Sequence, residues 1–250
     1  MPELLTIEKL SAGYGEAIVL SDISLTVAEG QSVALLGRNG MGKTTVVNLL
    51  TGMLRPTEGR IRLDGEDITD AEPYMRVRLG IARTFQINQL FADLTPIEAI
   101  GLAVSERMGT GRQWWRLLGR RPEVIADVLR LVEQFQLADV MYDRTAILPY
   151  GKQRLLEIAL AIACRPRVLL LDEPAAGVPE AERHEILATV ERLPKDVTVL
   201  LIEHDMDLVF SFADRISVLV NGALFADGTP EAVARDDRVK AVYLGEAFDA

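Results

Sequence analysis

The stretch from residue 37 to residue 45 constrains this chain more than any other. It reads Gly-Arg-Asn-Gly-Met-Gly-Lys-Thr-Thr, which satisfies the phosphate-loop pattern of a glycine, four residues and then Gly-Lys-Thr. In such a loop the glycines let backbone N–H groups close around phosphate oxygens, Lys43 reaches the β- and γ-phosphates, and the Thr44 hydroxyl holds Mg²⁺. The candidate phosphate-binding residues are Gly37, Arg38, Asn39, Gly40, Met41, Gly42, Lys43, Thr44 and Thr45.

The residues around this phosphate loop (residues 37–45) fit the pattern. The run Gln31-Ser-Val-Ala-Leu-Leu36 before it is typical of a buried strand, and Thr45-Val-Val-Asn-Leu-Leu-Thr51 after it has helical spacing. The loop is therefore predicted to lead into a helix N-terminus, where the helix dipole favours anions. The alternative, a glycine-rich turn that binds nothing, would not require this strand and helix.

A second candidate set follows two apolar strands near the C-terminal half of the chain. Asp172 ends the run Val168–Leu171 and is placed to hold Mg²⁺, while Glu173 can polarise an attacking water. His204 follows the strand Thr198–Glu203 and can contact a γ-phosphate or the water, although a lone histidine there is more often structural. The helical segment between the two strands predicts a β-α-β crossover and hence a parallel sheet. In such a sheet these residues and the phosphate loop meet at one edge.

The rest of the chain divides into strand-rich ends and a helical middle. Short strands are predicted over Leu4–Leu10 and Ile18–Val27, and hairpins at Asp64-Gly65 and Asn221-Gly222. Residues 90–163 are largely helical, with Val124–Gln136 as the clearest amphipathic stretch. The sequence thus predicts an α/β core with an inserted helical subdomain.

Composition limits the class of protein. The formal net charge of −10 argues against general affinity for nucleic acid, which requires a basic surface. The single cysteine, Cys164, allows no internal disulfide, and it lies in an apolar run that predicts a buried structural thiol. No stretch approaches the ~18 apolar residues of a membrane span, and the N-terminus lacks a signal-peptide pattern. We therefore expect a soluble chain whose membrane role, if any, comes through partners.

These motifs together resemble the ATP-binding-cassette (ABC) ATPases over essentially the whole chain. Gln86, in Ala82-Arg-Thr-Phe-Gln86, matches the family's glutamine that senses Mg²⁺ and contacts the membrane domain, and Tyr14 matches the aromatic residue that stacks on adenine. The resemblance implies a P-loop NTPase (RecA-like) core with an N-terminal antiparallel β subdomain and an inserted helical signature subdomain. Residues 1–90 and 164–250 would form the core with the β subdomain, and residues 91–163 the helical subdomain. It further implies ATP and Mg²⁺ as ligands, with Mg²⁺ on Thr44, Gln86 and Asp172.

One motif departs from the family. Where the family has Leu-Ser-Gly-Gly-Gln, this chain has Leu148-Pro149-Tyr150-Gly151-Lys152, followed by Gln153. Residues Pro149, Tyr150, Gly151 and Lys152 therefore stand where the family contacts the nucleotide of the opposite subunit, but Pro149 supplies neither the hydroxyl nor the backbone N–H of the family's serine. Pro179 likewise stands where the family has an aspartate that contacts the dimer partner. The resemblance therefore implies a weaker composite site on this side.

Within the family, the chain is similar to the long-insertion ATPases of branched-chain amino-acid importers. The supporting segments are residues 83–86, 172–177, 201–206, 227–230 and 241–246. This implies a second, different ABC ATPase, two integral-membrane permease subunits and, indirectly, a periplasmic solute-binding protein as partners, at the cytoplasmic face of the inner membrane. Catalysis would use Glu173, His204, Lys43 and Gln86. Alternatives are the cytoplasmic ATPase of lipopolysaccharide export and a soluble, non-transport ABC ATPase or regulator.

Residues 107–121 form an arginine-rich block on an otherwise acidic chain. Five arginines and the pair Trp114-Trp115 occur there with no acidic residue. Such a block is consistent with docking on a membrane partner or anionic lipid, but the composition favours, by a small margin, a solvated insertion whose tryptophans pack on their own helix. The solute, the identity of the second ATPase and the rate of hydrolysis do not follow from the sequence.

Overall fold

The computed structural model describes residues 2–15, 17–84, 90–109, 122–194 and 196–244. The chain forms two units: the first comprises Met1–Ile81, Arg167–Glu173 and Pro194–Ala250, and the second comprises Ala82–Pro166 and Pro174–Leu193. Residues 174–193 form part of the second unit. The proposed subdomain boundaries at residues 90/91 and 163/164 stay a prediction.

Four strands form an antiparallel sheet in the first unit. They are β1 (Glu3–Tyr14), β2 (Ala17–Ala28), β4 (Glu58–Leu63) and β5 (Glu66–Asp67), in the order β2-β1-β4-β5. The turn between β4 and β5 places Asp64 and Gly65 at positive φ, 53° and 78°, so the predicted hairpin is confirmed.

A second sheet has six strands in the order β10-β9-β3-β8-β7-β6. They are β3 (Ser32–Leu36), β6 (Ile81–Arg83), β7 (Val168–Asp172), β8 (Thr198–Glu203), β9 (Arg215–Val220) and β10 (Ala223–Gly228). Strand β8 pairs in parallel with both β3 and β7, which confirms the predicted β-α-β crossover. Strands β9 and β10 form an antiparallel hairpin, and Asn221 and Gly222 both have positive φ there, as the sequence predicted.

The helices follow the predicted pattern, with the long ones concentrated in the middle of the chain. In chain order they are α1 (Lys43–Thr51), α2 (Pro73–Arg78), α3 (Pro96–Arg107), α4 (Pro122–Gln134), α5 (Tyr150–Ala163), α6 (Glu180–Glu191), α7 (Met206–Phe212), α8 (Pro230–Arg235) and α9 (Asp237–Leu244), with a 3₁₀ turn at Thr145–Ile147. None of the helices in the described segments is long and apolar enough to cross a membrane.

The hydrophobic core of the first unit joins its two sheets through α1. Helix α1 buries Val46, Val47, Leu49 and Leu50 completely, and these side chains belong to the same cluster as residues of β1, β3, β7 and β8. Full burial of such a side chain contributes about 1.5–3 kcal/mol. The helix that begins in the phosphate loop is therefore fixed by apolar packing along its whole length.

Arg76 holds the other end of that helix. Its side chain is only 1% exposed, and within the described residues it donates hydrogen bonds to backbone carbonyls: Leu49 at 2.5 Å and Leu50 at 3.0 Å, in the last turn of α1, and Thr69 at 2.7 Å and Ala71 at 2.9 Å. A cation at a helix C-terminus satisfies carbonyls that lack partners within the helix and complements the dipole. Arg76 therefore positions the helix that presents the phosphate loop.

The second unit is a helical assembly with its own core. Helix α3 starts with a capping box, in which the Thr95 hydroxyl accepts from the Glu98 N–H (3.4 Å) and the Glu98 carboxylate accepts from the Thr95 N–H (2.9 Å). Helix α4 buries one apolar stripe, which includes Val128 and Leu131, as its predicted amphipathic spacing requires. The core is completed by buried residues of α5 such as Leu156.

Candidate nucleotide site

The phosphate loop connects β3 to α1 as predicted. Gly37 is buried, whereas Arg38, Asn39 and Gly40 are exposed and form the open side of the loop. Gly42 precedes α1 with a φ of 97°, a left-handed conformation that strongly favours glycine. No described side chain caps α1, and its first turn contains no acidic residue. The N–H groups and positive dipole end of α1 thus remain available for an anion.

Lys43 is the cation of this loop. Its side chain is 5% exposed, and its ammonium donates to the carbonyls of Gly37 and, at 3.3 Å, Arg38. It also lies 3.9 Å from the carboxylate of Glu173. Burial lowers the pKa of Lys43, while the nearby carboxylates, Glu173 first, oppose that shift. Carbonyl oxygens hold this buried ammonium in place. A phosphate oxygen carries more negative charge than a carbonyl oxygen, so it would bind the ammonium more strongly.

The acidic residues lie at the tip of β7. Asp172 ends this strand and is 2% exposed. Glu173 follows with a φ of 47°, a left-handed conformation that costs a non-glycine residue roughly 1–2 kcal/mol. Its N–H donates to the carbonyl of Ile202 in the neighbouring strand at 2.9 Å, which holds the unusual backbone in place. Backbone strain at a residue that carries a carboxylate, held by a hydrogen bond to the neighbouring strand, is typical of functional sites.

His204 joins the same cluster from the end of β8. Its Nδ1 lies 3.3 Å from the Glu173 carboxylate, and its side chain is about half exposed. Because Glu203 pairs with Leu36 across β8 and β3, the histidine emerges beside the start of the phosphate loop. The structure therefore brings Lys43, Glu173 and His204 together at one edge of the parallel sheet.

Glu203 belongs to this cluster but was not predicted from the sequence. It is 3% exposed, and its carboxylate accepts a hydrogen bond from the His204 N–H at 3.1 Å and lies 3.7 Å from the His204 Nδ1. Burial raises the pKa of Glu203, and the His204 N–H opposes the shift. An acid that ends the apolar run Thr198–Ile202 was the available signal in the sequence.

The residues present fit a magnesium nucleotide. Within the described segments, no three His, Cys, Asp or Glu side chains are grouped in a way that could hold a metal by themselves. Mg²⁺ in nucleotide sites is held by one or two protein oxygens together with phosphates and water. Thr44, exposed in the first turn of α1, and Asp172, at the end of β7, carry oxygens of the kind that Mg²⁺ binds. Gln86, the third predicted ligand, lies outside the described residues.

Met41 ties the phosphate loop to the β9-β10 hairpin. Its sulfur lies 3.1 Å from the N–H of Asn221 in the hairpin turn. Gly222 lets this turn approach β2 closely, because a side chain there would collide with the backbone of Val19. Thr45, in the first turn of α1, is buried rather than facing the open side of the loop.

The signature segment (residues 148–153) begins helix α5 in the second unit. Pro149 is the N-cap residue, and no described side chain caps the helix. The Lys152 ammonium donates to the carbonyl of Gln136 and lies 3.1 Å from the Asp139 carboxylate, so its charge is already paired. The Tyr150 ring lies beneath the Arg154 guanidinium at 5.4 Å.

A cavity of about 250 Å³ opens beside the signature segment. Gly151 and Lys152 line it together with the carboxylates of Glu182 and Glu185 from α6. Two carboxylates make this surface less favourable for a phosphate, because like charges repel. The acidic lining was not predicted, since it depends on how α6 packs against α5.

Several sequence predictions fall outside the described structure. These are Gln86, the side chains of Tyr14 and His184, and residues 110–121 of the arginine-rich block, which include Trp114-Trp115. Arg107 of that block is described, and it is not free for docking because it donates to Ala163 and to Asp127. The expectation of a buried Cys164 is wrong, because this residue ends α5 and is exposed.

Both protein-family models and individual known proteins match this chain. The family described as ABC transporter matches residues 20–176, and the family described as branched-chain amino acid ATP-binding cassette transporter matches residues 223–249. The high-affinity branched-chain amino acid transport ATP-binding protein BraF of Pseudomonas aeruginosa is 40% identical, and the alignment covers 98% of each chain. The protein LivG of Escherichia coli, with the same description, is 36% identical over 98% of each chain.

A solved structure agrees with these sequence matches. The crystal structure of the ADP conformation of an ATP-binding cassette of an ABC transporter superposes with a TM-score of 0.83 at 30% identity, covering 98% of this chain and 100% of that chain. The predicted α/β P-loop fold is thereby confirmed. This chain belongs to the ABC transporter family, as an ATP-binding subunit whose ATP hydrolysis is coupled to transport.

Proposed function

We propose that this chain energises an importer of branched-chain amino acids. The main support is the cluster of Lys43, Glu173 and His204 at the phosphate loop, in a chain that aligns over its whole length with ATP-binding proteins of branched-chain amino-acid transport. The match of residues 223–249 to a branched-chain amino acid transporter family extends the similarity to the C-terminal segment. The solute itself does not need to contact this chain.

The proposed reaction is in-line attack of water on the γ-phosphorus of ATP. Glu173 accepts a proton from the water as its oxygen bonds to phosphorus, and the bond to the β–γ bridging oxygen breaks to release ADP and phosphate. Lys43 stabilises the charge that develops on the phosphate oxygens, because it is positive and shielded from water. His204, 3.3 Å from Glu173, holds that carboxylate or contacts the γ-phosphate.

The remaining ligand contacts are proposals of the same kind. Mg²⁺, when bound, would neutralise charge on the β- and γ-oxygens, with Thr44, Gln86 and Asp172 as its protein ligands. The Tyr14 ring would stack on adenine. The N–H groups of the phosphate loop and of α1 would hold the phosphates.

We further propose an asymmetric assembly. Two integral-membrane permease subunits would bind this chain at the cytoplasmic face of the inner membrane, a periplasmic solute-binding protein would deliver the solute to them, and the second ATPase would be a different chain. The altered signature segment supports a different partner, because Pro149 lacks the donors of the family's serine and two carboxylates lie beside Gly151. The composite site that uses this chain's signature segment would then be the weaker one.

Purification of this chain from its native membranes tests the assembly. We expect two polytopic membrane proteins and a second, different ATPase to co-purify. Membrane vesicles that contain them, supplied with the solute-binding protein, should take up leucine, isoleucine or valine in an ATP-dependent manner. Uptake should fail when Glu173→Gln replaces the wild type. Recovery of a homodimer with an envelope-spanning bridge would instead indicate the lipopolysaccharide exporter. Recovery of no membrane protein, or no hydrolysis with all partners present, would favour a soluble ABC ATPase or a regulator.

A further inference from the structure

A glutamate of α6 covers the start of helix α5. Glu182 lies in the first turn of α6, and its half-buried side chain lines the cavity of about 250 Å³ beside the signature segment. A Cβ atom built on Gly151 would collide with the Oε2 atom of Glu182. The three atoms nearest to that position, outside the backbone of α5 itself, all belong to this glutamate. The carboxylate therefore occupies the space that a side chain at residue 151 would fill.

This contact places a negative charge where a phosphate would bind. Pro149 and Tyr150 are exposed, whereas Gly151, the next residue, is buried. The first turn of α5 contains no acidic residue, and Pro149 provides no side-chain cap. A helix N-terminus attracts negative charge through its unpaired N–H groups and its dipole. The Glu182 carboxylate supplies that charge from a different helix, and both helices belong to the second unit.

The backbone of α6 is held firmly against α5. Ile186, one turn after Glu182 and hence on the same face of α6, is buried, as is Leu155 of α5, and both line the cavity. The Tyr150 ring lies against Gly177, with its Cε1 atom 3.5 Å from the position of a Cβ at residue 177. The packing thus fixes where Glu182 begins, while its partly exposed side chain can rotate about its own bonds.

The lysine of the signature segment does not neutralise this carboxylate. Lys152 lines the same cavity, but its ammonium donates to the carbonyl of Gln136 and lies 3.1 Å from the Asp139 carboxylate. Glu185 adds a second negative charge to the cavity. A phosphate that approached Gly151 would therefore be repelled by Glu182 at short range, where the interaction between two charges is strongest.

We propose that the Glu182 carboxylate is an internal competitor of the γ-phosphate that a second ATPase presents to the signature segment. The inference rests on the proposed function above, in which this segment contacts the nucleotide of the opposite subunit. Pro149 removes a donor permanently, whereas a carboxylate on a rotatable side chain blocks the helix start reversibly. The composite site is closed while Glu182 covers Gly151, and it opens when the side chain rotates away.

ATP hydrolysis by the assembled transporter tests this proposal. Glu173→Gln in this chain silences the site at its own phosphate loop, so the remaining phosphate release comes from the composite site at its signature segment. Adding Glu182→Gln removes the negative charge and keeps the size of the side chain. We expect the remaining rate to rise about tenfold, because repulsion between one charge and the phosphate is relieved. The gain should shrink as the salt concentration is raised, since salt screens charges.

Two further substitutions on α6 locate the effect, each compared in complexes of the same subunit composition. Glu185→Gln removes a charge from the same cavity but not from the position over Gly151, so its gain should be smaller. Glu191→Gln, at the exposed last residue of α6, should change nothing.

The outcomes that contradict the proposal are distinct. An unchanged remaining rate with Glu182→Gln would overturn it, and so would an equal gain from Glu185→Gln. A gain that persisted at high salt would also overturn it, because the effect of Glu182 would then not be electrostatic. Absence of ATP hydrolysis by the wild-type complex would instead refute the proposed function, and the inference with it.

Discussion

The phosphate loop and the signature segment, two helix N-termini of this chain, are built in opposite ways. At the phosphate loop, α1 begins with Gly42 and Lys43, and the buried ammonium has carbonyl and carboxylate partners within reach. At the signature segment, α5 begins after Pro149, and the Lys152 charge is already paired with Asp139. Both helix N-termini present backbone N–H groups. Only the phosphate loop also presents a lysine, Lys43, whose ammonium can bind a phosphate.

The surroundings increase this difference. Carboxylates near the phosphate loop face a buried lysine, so their charge is balanced locally. The carboxylates of Glu182 and Glu185 line the cavity at the signature segment, where the one lysine already has another partner. A helix N-terminus is therefore insufficient by itself to mark a phosphate site. The charged side chains around it decide whether an anion is favoured.

The largest effect is expected at the phosphate-loop side, from Glu173→Gln. The amide keeps the size of the side chain but cannot take a proton from water, so the ATPase rate should fall by ~10²–10⁴-fold. Nucleotide binding should persist, because Lys43 and the loop backbone remain. Steady-state phosphate release together with a nucleotide-binding assay measures both.

The matched control is Glu58→Gln, an exposed glutamate at the start of β4 in the same unit. It should leave hydrolysis unchanged. If Glu173→Gln kept most of the wild-type rate, another group would have to be the base. Glu173 would then not be the residue that makes the phosphate-loop side the catalytic one.

A smaller effect, on stability rather than chemistry, is expected from Arg76→Met. The methionine fills part of the space but leaves the carbonyls of Leu49 and Leu50 without their donors in a buried position. We expect the free energy of unfolding to fall by about 3 kcal/mol, which urea titration measures. Nucleotide affinity should fall as well, since α1 presents the loop. Arg55→Met is the control, because the Arg55–Glu72 pair is exposed and should contribute less than ~1 kcal/mol.

The contrast between local and distant signals explains what the sequence could predict. The phosphate loop, the β7 and β8 strands and the Asn221-Gly222 turn each combine a short pattern with a required backbone geometry, so all three were predicted where the structure has them. Arg76 lies in α2, whose sequence resembles that of a solvent-exposed helix. Its burial depends on carbonyls at the far end of α1, which no local pattern reveals.

The same reason accounts for the other residues that were missed. Tyr243 borders the nucleotide site only because the last helices fold back along the β9-β10 hairpin. Glu182 lies beside Gly151 only because α6 returns to the start of α5. Cys164 shows the converse error, in which an apolar run predicted burial but the helix ended at that residue.

An intermediate effect on the signature side is expected from Asp127→Asn, which tests the support of α5. Arg107 donates to the Asp127 carboxylate at 2.5 Å and to the last-turn carbonyl of Ala163 at 2.7 Å, which links α3, α4 and α5. Burial alone would raise the pKa of Asp127, but the hydrogen bond and charge of Arg107, with Arg165 and Arg130, hold it below its ordinary value. The substitution should cost about 1–2 kcal/mol at neutral pH.

This cost should depend on pH in a defined direction. A carboxyl whose pKa is lower in the folded state contributes stability above its ordinary value of 3.8, and that contribution is lost as the pH falls through the folded pKa. The difference in unfolding free energy between wild type and Asp127→Asn should therefore shrink in acid. A difference that stayed constant across the acid range would show that the charge of Asp127 does not stabilise the second unit. Asp139→Asn, at a more exposed pair with Lys152, provides the control.

The smallest effect is expected from Pro149→Ser in the assembled transporter. Serine restores a hydroxyl and a backbone N–H at the start of α5, so the composite site that uses this segment should hydrolyse ATP faster, by about threefold for one recovered hydrogen bond. The gain stays small because Glu182 and Glu185 remain beside Gly151, and the double variant Pro149→Ser with Glu182→Gln should gain more. Pro194→Ser, at an exposed proline of the first unit, should change nothing. An ATPase rate equal to the wild type in both signature variants would mean that this segment does not limit its site, and the asymmetry between the two helix N-termini would then have no consequence for transport.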